Sequence, residues 1–97
     1  SLNHLRQLPI THLKIDRSFT AGLTTSVLDS KIIESTIALA HAIGLGVIAE
    51  GVETAAQLNM LGEFGCDEAQ GFYLGKPQSS VDILRTVATH RSTTESR

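Results

Sequence analysis

Short strand-like segments alternate with helix-like segments along this chain, and that order leaves few folds open. Runs of β-branched and apolar residues at 10–15, 46–49 and 68–74 predict three strands. Between them, apolar residues recur at helical spacing. Strands that alternate with helices in this way form right-handed βαβ units on a parallel sheet. We therefore expect an α/β protein of parallel βα repeats, in which ligands bind beyond the carboxyl ends of the strands.

The helical segments carry start and stop signals. The segment 29–43 has apolar residues at helical spacing, and Gly44 follows it as a stop signal. Thr54 and Gln57 have the capping-box spacing that starts another helix, and Gly65 ends that helix. Two of the three predicted βα connections are therefore delimited by local sequence signals.

The two ends of the chain carry further signals. Leucines at positions 2, 5 and 8 predict a helix that stops at Pro9. No initiator methionine precedes them, so we expect the chain to be a piece of a longer protein. Towards the other end, Ser79 or Ser80 is expected to cap a last helix. Residues 91–97 form a polar tail that we expect to be disordered.

Composition excludes several classes of function. The formal charge of −2 provides no basic field, which argues against binding of a nucleic acid polymer. The chain has one cysteine, Cys66, so it forms no internal disulfide, and its histidines show no zinc-site spacing. No apolar run approaches the roughly 20 residues that span a bilayer. We expect a soluble, cytoplasmic domain, although the parent protein can still be membrane-anchored.

Polar side chains recur where the predicted strands end. They are Lys14, Asp16, Glu50, Glu53 and Gln70. Because the carboxyl ends of parallel strands meet at one edge of a sheet, these side chains are expected to lie close together. Carboxylates there can ligate Mg²⁺ or Mn²⁺, and a lysine beside them can neutralise a phosphate. A solvated sheet edge or turn, and backbone hydrogen bonding by the glutamine, remain alternative interpretations of these residues.

Three of these segments resemble a known family. Lys-Ile-Asp-Arg-Ser-Phe at 14–19, Ala-Glu-Gly-Val-Glu-Thr at 49–54 and Gln-Gly-Phe-Tyr-Leu-Gly-Lys-Pro at 70–77 are similar, in order and spacing, to the last three motifs of the EAL domain. That family comprises cyclic di-GMP phosphodiesterases on a TIM-like (β/α)₈ barrel. The resemblance implies that residues 1–90 are the C-terminal portion of an EAL domain. The chain would then hold the last three units of an incomplete barrel.

The resemblance also implies roles for single residues. Cyclic di-GMP would be hydrolysed to linear pGpG with two Mg²⁺ or Mn²⁺ ions as cofactors. Lys14 would contact the attacking water or the scissile phosphate, with Asp16 beside it. Glu50 would hold or orient the water at the metal, or act as general base, and Gln70 would orient the water or the phosphate. Asp16 and Glu50 would ligate metal directly or through water, and Glu53 would stabilise the active-site loops.

The family pattern is only partly present. The Glu-Ala-Leu segment, the asparagine and second glutamate ligands and the Asp-Asp-Phe-Gly stretch are absent from this chain, and Gly75 replaces a common serine. Most metal ligands are thus missing, so we expect the isolated chain to be inactive. Two alternatives stay open. One is a degenerate EAL domain that binds cyclic di-GMP or a protein partner without hydrolysis, and the other is an assembly surface whose exposed strands pair in a homodimer.

Overall fold

A computed structural model describes residues 11–71, 75, 77–79 and 81, which form a four-stranded sheet with helices packed on it. The elements in chain order are β1 (His12–Ile15), α1 (Arg17–Ala21), α2 (Val27–Ala42), β2 (Gly46–Ala49), α3 (Ala55–Glu63), β3 (Glu68–Ala69) and β4 (Gln78–Ser79). The expected helix before Pro9, the body of the last helix and the polar tail lie outside the described residues.

The sheet has the strand order β1-β2-β3-β4, and its first three strands are parallel. The expected α/β fold with parallel strands is therefore confirmed. β2 has the predicted bounds, whereas β3 contains only the first two residues of the predicted run, and 72–74 are not described. In register, Lys14 lies beside Ile48, which lies beside Glu68. These three positions form one row across the sheet.

The fourth strand corrects the expectation of a wholly parallel sheet. β4 runs antiparallel to β3 and pairs Ser79 with Glu68. A parallel connection needs about a dozen residues, and the chain between the two strands is shorter than that. Gly75, between the two strands in sequence, has φ +72°, a conformation that favours glycine. Ser79 therefore belongs to the sheet, whereas Ser80 and the body of the last helix, which one of these serines is expected to cap, lie outside the described residues.

α2 begins two residues earlier than the sequence predicts. The Ser26 side chain caps it by accepting a hydrogen bond from the Asp29 N–H at 3.1 Å. The apolar residues of the predicted stripe divide between two faces. Ile33, Ile37 and Ala40 are buried, whereas Ile32 and Ile43 are 39% and 58% exposed. Spacing alone does not show which apolar residues of a helix face the core.

α3 has the predicted capping box. Thr54 Oγ1 accepts a hydrogen bond from the Gln57 N–H at 3.1 Å. Gln57 Oε1 in turn accepts from the N–H groups of Thr54 at 3.1 Å and Glu53 at 2.7 Å. The Gln57 side chain can be buried at low cost because its amide oxygen accepts these backbone hydrogen bonds. The box therefore starts the helix and also holds the loop before it.

A single core lies between the sheet and the helices. It consists of Ile15, Leu23, Ile33, Ile37, Ala40, Val47, Ala49, Val52, Leu58, Leu61, Cys66 and Ala69. The Cys66 thiol donates to the carbonyls of Glu68 at 3.3 Å and Val47 at 3.5 Å, and burial raises its pKa to about 11. Within the part of the chain that the structure describes, no helix has the length and apolarity to cross a membrane.

At the amino ends of the strands, one carboxylate joins three elements. Asp67 Oδ2 accepts a hydrogen bond from the Val47 N–H at 2.7 Å and lies 2.6 Å from His41 Nε2 at the end of α2. Partial burial opposes ionisation of Asp67, but the hydrogen bonds from His41 and Val47 outweigh it and hold its pKa below the usual 3.8. The His41 side chain is half-exposed in this contact.

Candidate functional site at the carboxyl ends of the strands

An open groove lies beyond the carboxyl ends of the three parallel strands. It is lined by Asp16, Arg17, Glu50, Gly51, Glu53, Gln70, Gly71 and Gly75. Four of the five predicted site residues line this groove. The fifth, Lys14, places its Nζ 3.6 Å from Glu50 Oε1. The fold therefore brings all five predicted positions to one edge of the sheet.

Lys14 and Glu50 form an ion pair at the edge of this groove. The Lys14 side chain is 64% exposed and that of Glu50 is 37% exposed. An ion pair in such contact with water contributes about 1 kcal/mol or less to stability. The stability of the fold therefore depends little on either charge. Both groups can therefore exchange this contact for a ligand at low cost.

Asp16 follows β1 and caps α1, a short helix that the sequence analysis does not predict. Its Oδ2 accepts hydrogen bonds from the Ser18 hydroxyl at 2.6 Å and the Ser18 N–H at 3.0 Å. These bonds lower the pKa of Asp16, the hydroxyl contributing most. Asp16 is thus an ionised carboxylate whose Oδ2 is oriented by capping.

Backbone hydrogen bonds fix the loops that carry Glu50 and Gln70. The Glu50 N–H donates to the Ile15 carbonyl at 3.0 Å, and the Gln70 N–H donates to the Ala49 carbonyl at 2.8 Å. The Gln70 carbonyl accepts from the Val52 N–H at 2.9 Å. Gly71 lies against the Val52 backbone, where a Cβ atom would collide. The missing side chain at Gly71 therefore permits the close approach of these two backbone segments.

Four groove residues are not among the predicted site residues: Arg17, Gly51, Gly71 and Gly75. Gly51 has φ +75°, and a side chain there would collide with the Cβ of Arg17. Arg17 therefore packs against the loop that carries Glu50 and Glu53. Arg17 makes no ion pair with a carboxylate among the described residues. Its place directly after Asp16, at a strand end, is a signal that could have identified it.

Glu68 is a further polar residue that the sequence analysis did not place in the site. Its Oε2 accepts a hydrogen bond from Gln70 Nε2 at 2.9 Å. Glu68 and Gln70 are two residues apart in an extended segment, so they face the same side of the sheet. That i, i+2 spacing is the signal for the contact. A partly buried carboxylate therefore supports the amide at the groove.

The groove provides some, but not all, of the oxygen ligands that a hard divalent cation needs. Carboxylate and amide oxygens are the ligands that Mg²⁺ and Mn²⁺ prefer, and Asp16, Glu50 and Glu53 supply such carboxylates. However, no group of three or more His, Cys, Asp or Glu residues in the described part of the chain is arranged to hold a metal ion. A complete metal site needs further ligands from outside the described residues.

Comparison with known proteins identifies the family. The EAL domain model matches residues 1–77. The chain is 42% identical over 88 residues to the bifunctional diguanylate cyclase/cyclic di-GMP phosphodiesterase MucR of Pseudomonas aeruginosa, covering 91% of this chain and 13% of MucR. The chain thus spans only a small part of that relative.

Solved structures give the same result. The cyclic di-GMP complex of the PaMucR phosphodiesterase superposes with a TM-score of 0.70 at 42% identity, covering 84% of this chain and 33% of that one. The EAL domain of Mycobacterium smegmatis DcpA superposes with a TM-score of 0.68 at 44% identity, covering 91% of this chain and 40% of that one. By sequence and by structure, the chain belongs to the EAL domain family.

Proposed function

We propose that this chain is the C-terminal portion, the last three βα units, of an EAL-type phosphodiesterase that hydrolyses cyclic di-GMP to pGpG. The observation that carries the proposal is the convergence of Lys14, Asp16, Glu50 and Gln70 at one groove. Relatives named as cyclic di-GMP phosphodiesterases and a neighbour solved with cyclic di-GMP support the choice of substrate. The reaction would take place in the cytoplasm.

Phosphodiesterases of this family depend on divalent metal ions, and we propose Mg²⁺ or Mn²⁺ here. Asp16 and Glu50 are the described residues that would hold the ions, directly or through water. Two cations at this edge would offset phosphate charge and stabilise the attacking and leaving oxygens. The remaining ligands would come from a preceding part of the barrel.

Four residues of this chain would have distinct roles in the reaction. Lys14, with its exposed ammonium group beside Glu50, would neutralise the scissile phosphate or contact the attacking water. Glu50 would accept a proton from that water as general base, because its half-exposed carboxylate lies at the groove. Gln70 would orient the water or the phosphate. Glu53, which lines the groove, would stabilise the loop.

Hydrolysis of cyclic di-GMP in the presence of Mn²⁺ tests this function. The 97-residue chain should be inactive because the described residues lack a full ligand set, and a longer version that restores the preceding barrel half should be active. In the longer version, Glu50→Ala should lower kcat by at least about a hundredfold through loss of general-base catalysis, with a much smaller loss of binding.

A matched control is Glu34→Ala, which removes an exposed carboxylate of α2 that is paired with Lys31. This variant should keep wild-type kinetics. Near-normal turnover by Glu50→Ala would show that Glu50 is not the general base. Binding of cyclic di-GMP by the longer version without any turnover would instead support the alternative, a degenerate EAL domain that acts as a receptor or a protein-interaction module.

A homodimer is a further proposal, and the edge of the sheet supports it. Among the described residues, β1 pairs with β2 alone, so its other edge has backbone groups free to pair with a second copy. The other edge strand, β4, has only two residues and offers fewer backbone groups. A strand-mediated dimer would therefore form through β1.

A further inference from the structure

Glu68 lies directly beneath the groove and does not line it. It belongs to the row Lys14, Ile48 and Glu68 that crosses the sheet one layer below Glu50 and Gln70. Its side chain is partly buried, and its Oε2 is 2.9 Å from Gln70 Nε2. Glu68 is therefore placed to act on the groove through Gln70.

The chemistry of the two groups allows only one orientation of the amide. An ionised carboxylate accepts hydrogen bonds and donates none, whereas a glutamine amide has a donor nitrogen and an acceptor oxygen. Glu68 must therefore receive the nitrogen of Gln70, which turns Oε1 away from Glu68. A reversed amide would place two acceptor oxygens against each other.

The main chain of Gln70 is already fixed on both sides. Its N–H donates to the Ala49 carbonyl and its carbonyl accepts from the Val52 N–H, at 2.8 and 2.9 Å. Only the side-chain torsions of Gln70 remain to be set. Because the Glu68 contact sets them, the direction of the amide at the groove depends on this carboxylate.

We propose that Glu68 is a positioning residue that holds the Gln70 amide with its oxygen towards the groove. Gln70 then offers an acceptor, which suits a hydrogen bond from the attacking water and not a contact with a phosphate oxygen. On the proposed phosphodiesterase function, Gln70 would therefore orient the attacking water and would not orient the phosphate. Glu68 acts only through Gln70 and touches neither substrate nor metal.

A double-mutant cycle in the longer, active version tests the proposal. Glu68→Leu, which removes the acceptor, should lower kcat about tenfold, and Glu68→Gln, which keeps the shape but allows both amide orientations, about threefold. KM should stay within about twofold in both variants. In a Gln70→Ala background, neither substitution should lower kcat further, because Glu68 then has no amide to orient.

Two results would overturn the proposal. One is an unchanged kcat in Glu68→Leu, and the other is the same fold-loss with and without Gln70, which would mean a general structural role. A second readout does not need turnover. In ¹⁵N-labelled protein, the Gln70 side-chain amide signals, assigned by their loss in Gln70→Ala, should move in Glu68→Leu. If the longer version without substitutions hydrolyses no cyclic di-GMP, the proposed function fails, and unchanged Gln70 amide signals in Glu68→Leu would separately refute the role of Glu68.

Discussion

At the scale of single residues, carboxylates organise both ends of the sheet. Asp16 is held by Ser18 at the carboxyl end, and Asp67 is held by His41 and the Val47 N–H at the amino end. In each case hydrogen bonds to the ionised form keep the pKa below its usual value. Each carboxylate is therefore a stabilising group only while it is ionised.

This gives a pH-dependent prediction for Asp67. Its folded-state pKa lies below the usual 3.8, so its stabilising contribution is present above about pH 4 and is lost as the pH falls through the folded-state value. Asp67→Asn should lower the free energy of unfolding at pH 7 by about 1 kcal/mol or less, since the pair is partly exposed.

Urea denaturation of the intact protein at pH 7 and pH 3 measures this effect. The difference between wild type and Asp67→Asn should shrink at the lower pH. Glu34→Gln, which alters an exposed ion pair on α2, is the control for a general effect of removing one negative charge. A difference that persists or grows in acid would contradict the assignment of the stabilisation to the ionised carboxylate.

At the scale of elements, the start of α3 and the loop with the two glutamates form one unit. The buried Gln57 amide oxygen accepts from both the Glu53 and the Thr54 N–H groups. The same loop is tied to β3 by the bond from the Val52 N–H to the Gln70 carbonyl. Loss of the cap would therefore release the loop as well as the helix end.

Gln57→Leu should lower the free energy of unfolding by about 1–3 kcal/mol, because two backbone donors lose a buried acceptor. It should also reduce the hydrolysis rate of the longer version, since the loop before α3 carries Glu50. Gln57→Glu keeps an acceptor oxygen and serves as the control. Thermal unfolding and initial rates check both effects, and equal losses in the two variants would show that the acceptor is not responsible.

The sequence predicts features that depend on local signals. The bounds of β2 follow from an apolar run between Gly46 and Glu50, and the capping box follows from Thr54 and Gln57. α1 and β4 were missed because each is too short for a periodic signal, and β4 depends on pairing with β3. The site positions came from strand ends and family motifs, whereas the role of Glu68 needs the direction of a neighbouring amide.

At the scale of the whole molecule, the sheet ends in two edge strands, β1 and β4. Among the described residues each of them pairs with one neighbour, and β1, with four residues against two, is the longer edge. In a complete barrel every strand is paired on both sides. The preceding part of the barrel would therefore occupy the edge of β1 through which a homodimer is proposed.

The 97-residue chain should accordingly self-associate, and the version with the preceding barrel half should lose that strand-mediated association. Sedimentation velocity over a range of concentrations, with circular dichroism to verify folding, measures this. A folded, monodisperse monomer of the short chain would contradict pairing through β1. Equal dimerisation of both versions would assign the contact to another surface, such as the exposed apolar residues Leu28, Ile32 and Leu39 of α2.

The buried thiol of Cys66 gives the molecule an internal reporter. The chain has no other cysteine, and burial raises the pKa of this thiol to about 11, so the thiol is protonated at pH 7. Alkylating reagents react with the thiolate, so labelling requires an opening of the core that exposes Cys66 to solvent. The alkylation rate therefore measures the free energy of that opening without an added probe. Slower alkylation of Cys66 in the presence of a ligand would show that ligand binding in the groove stabilises the core.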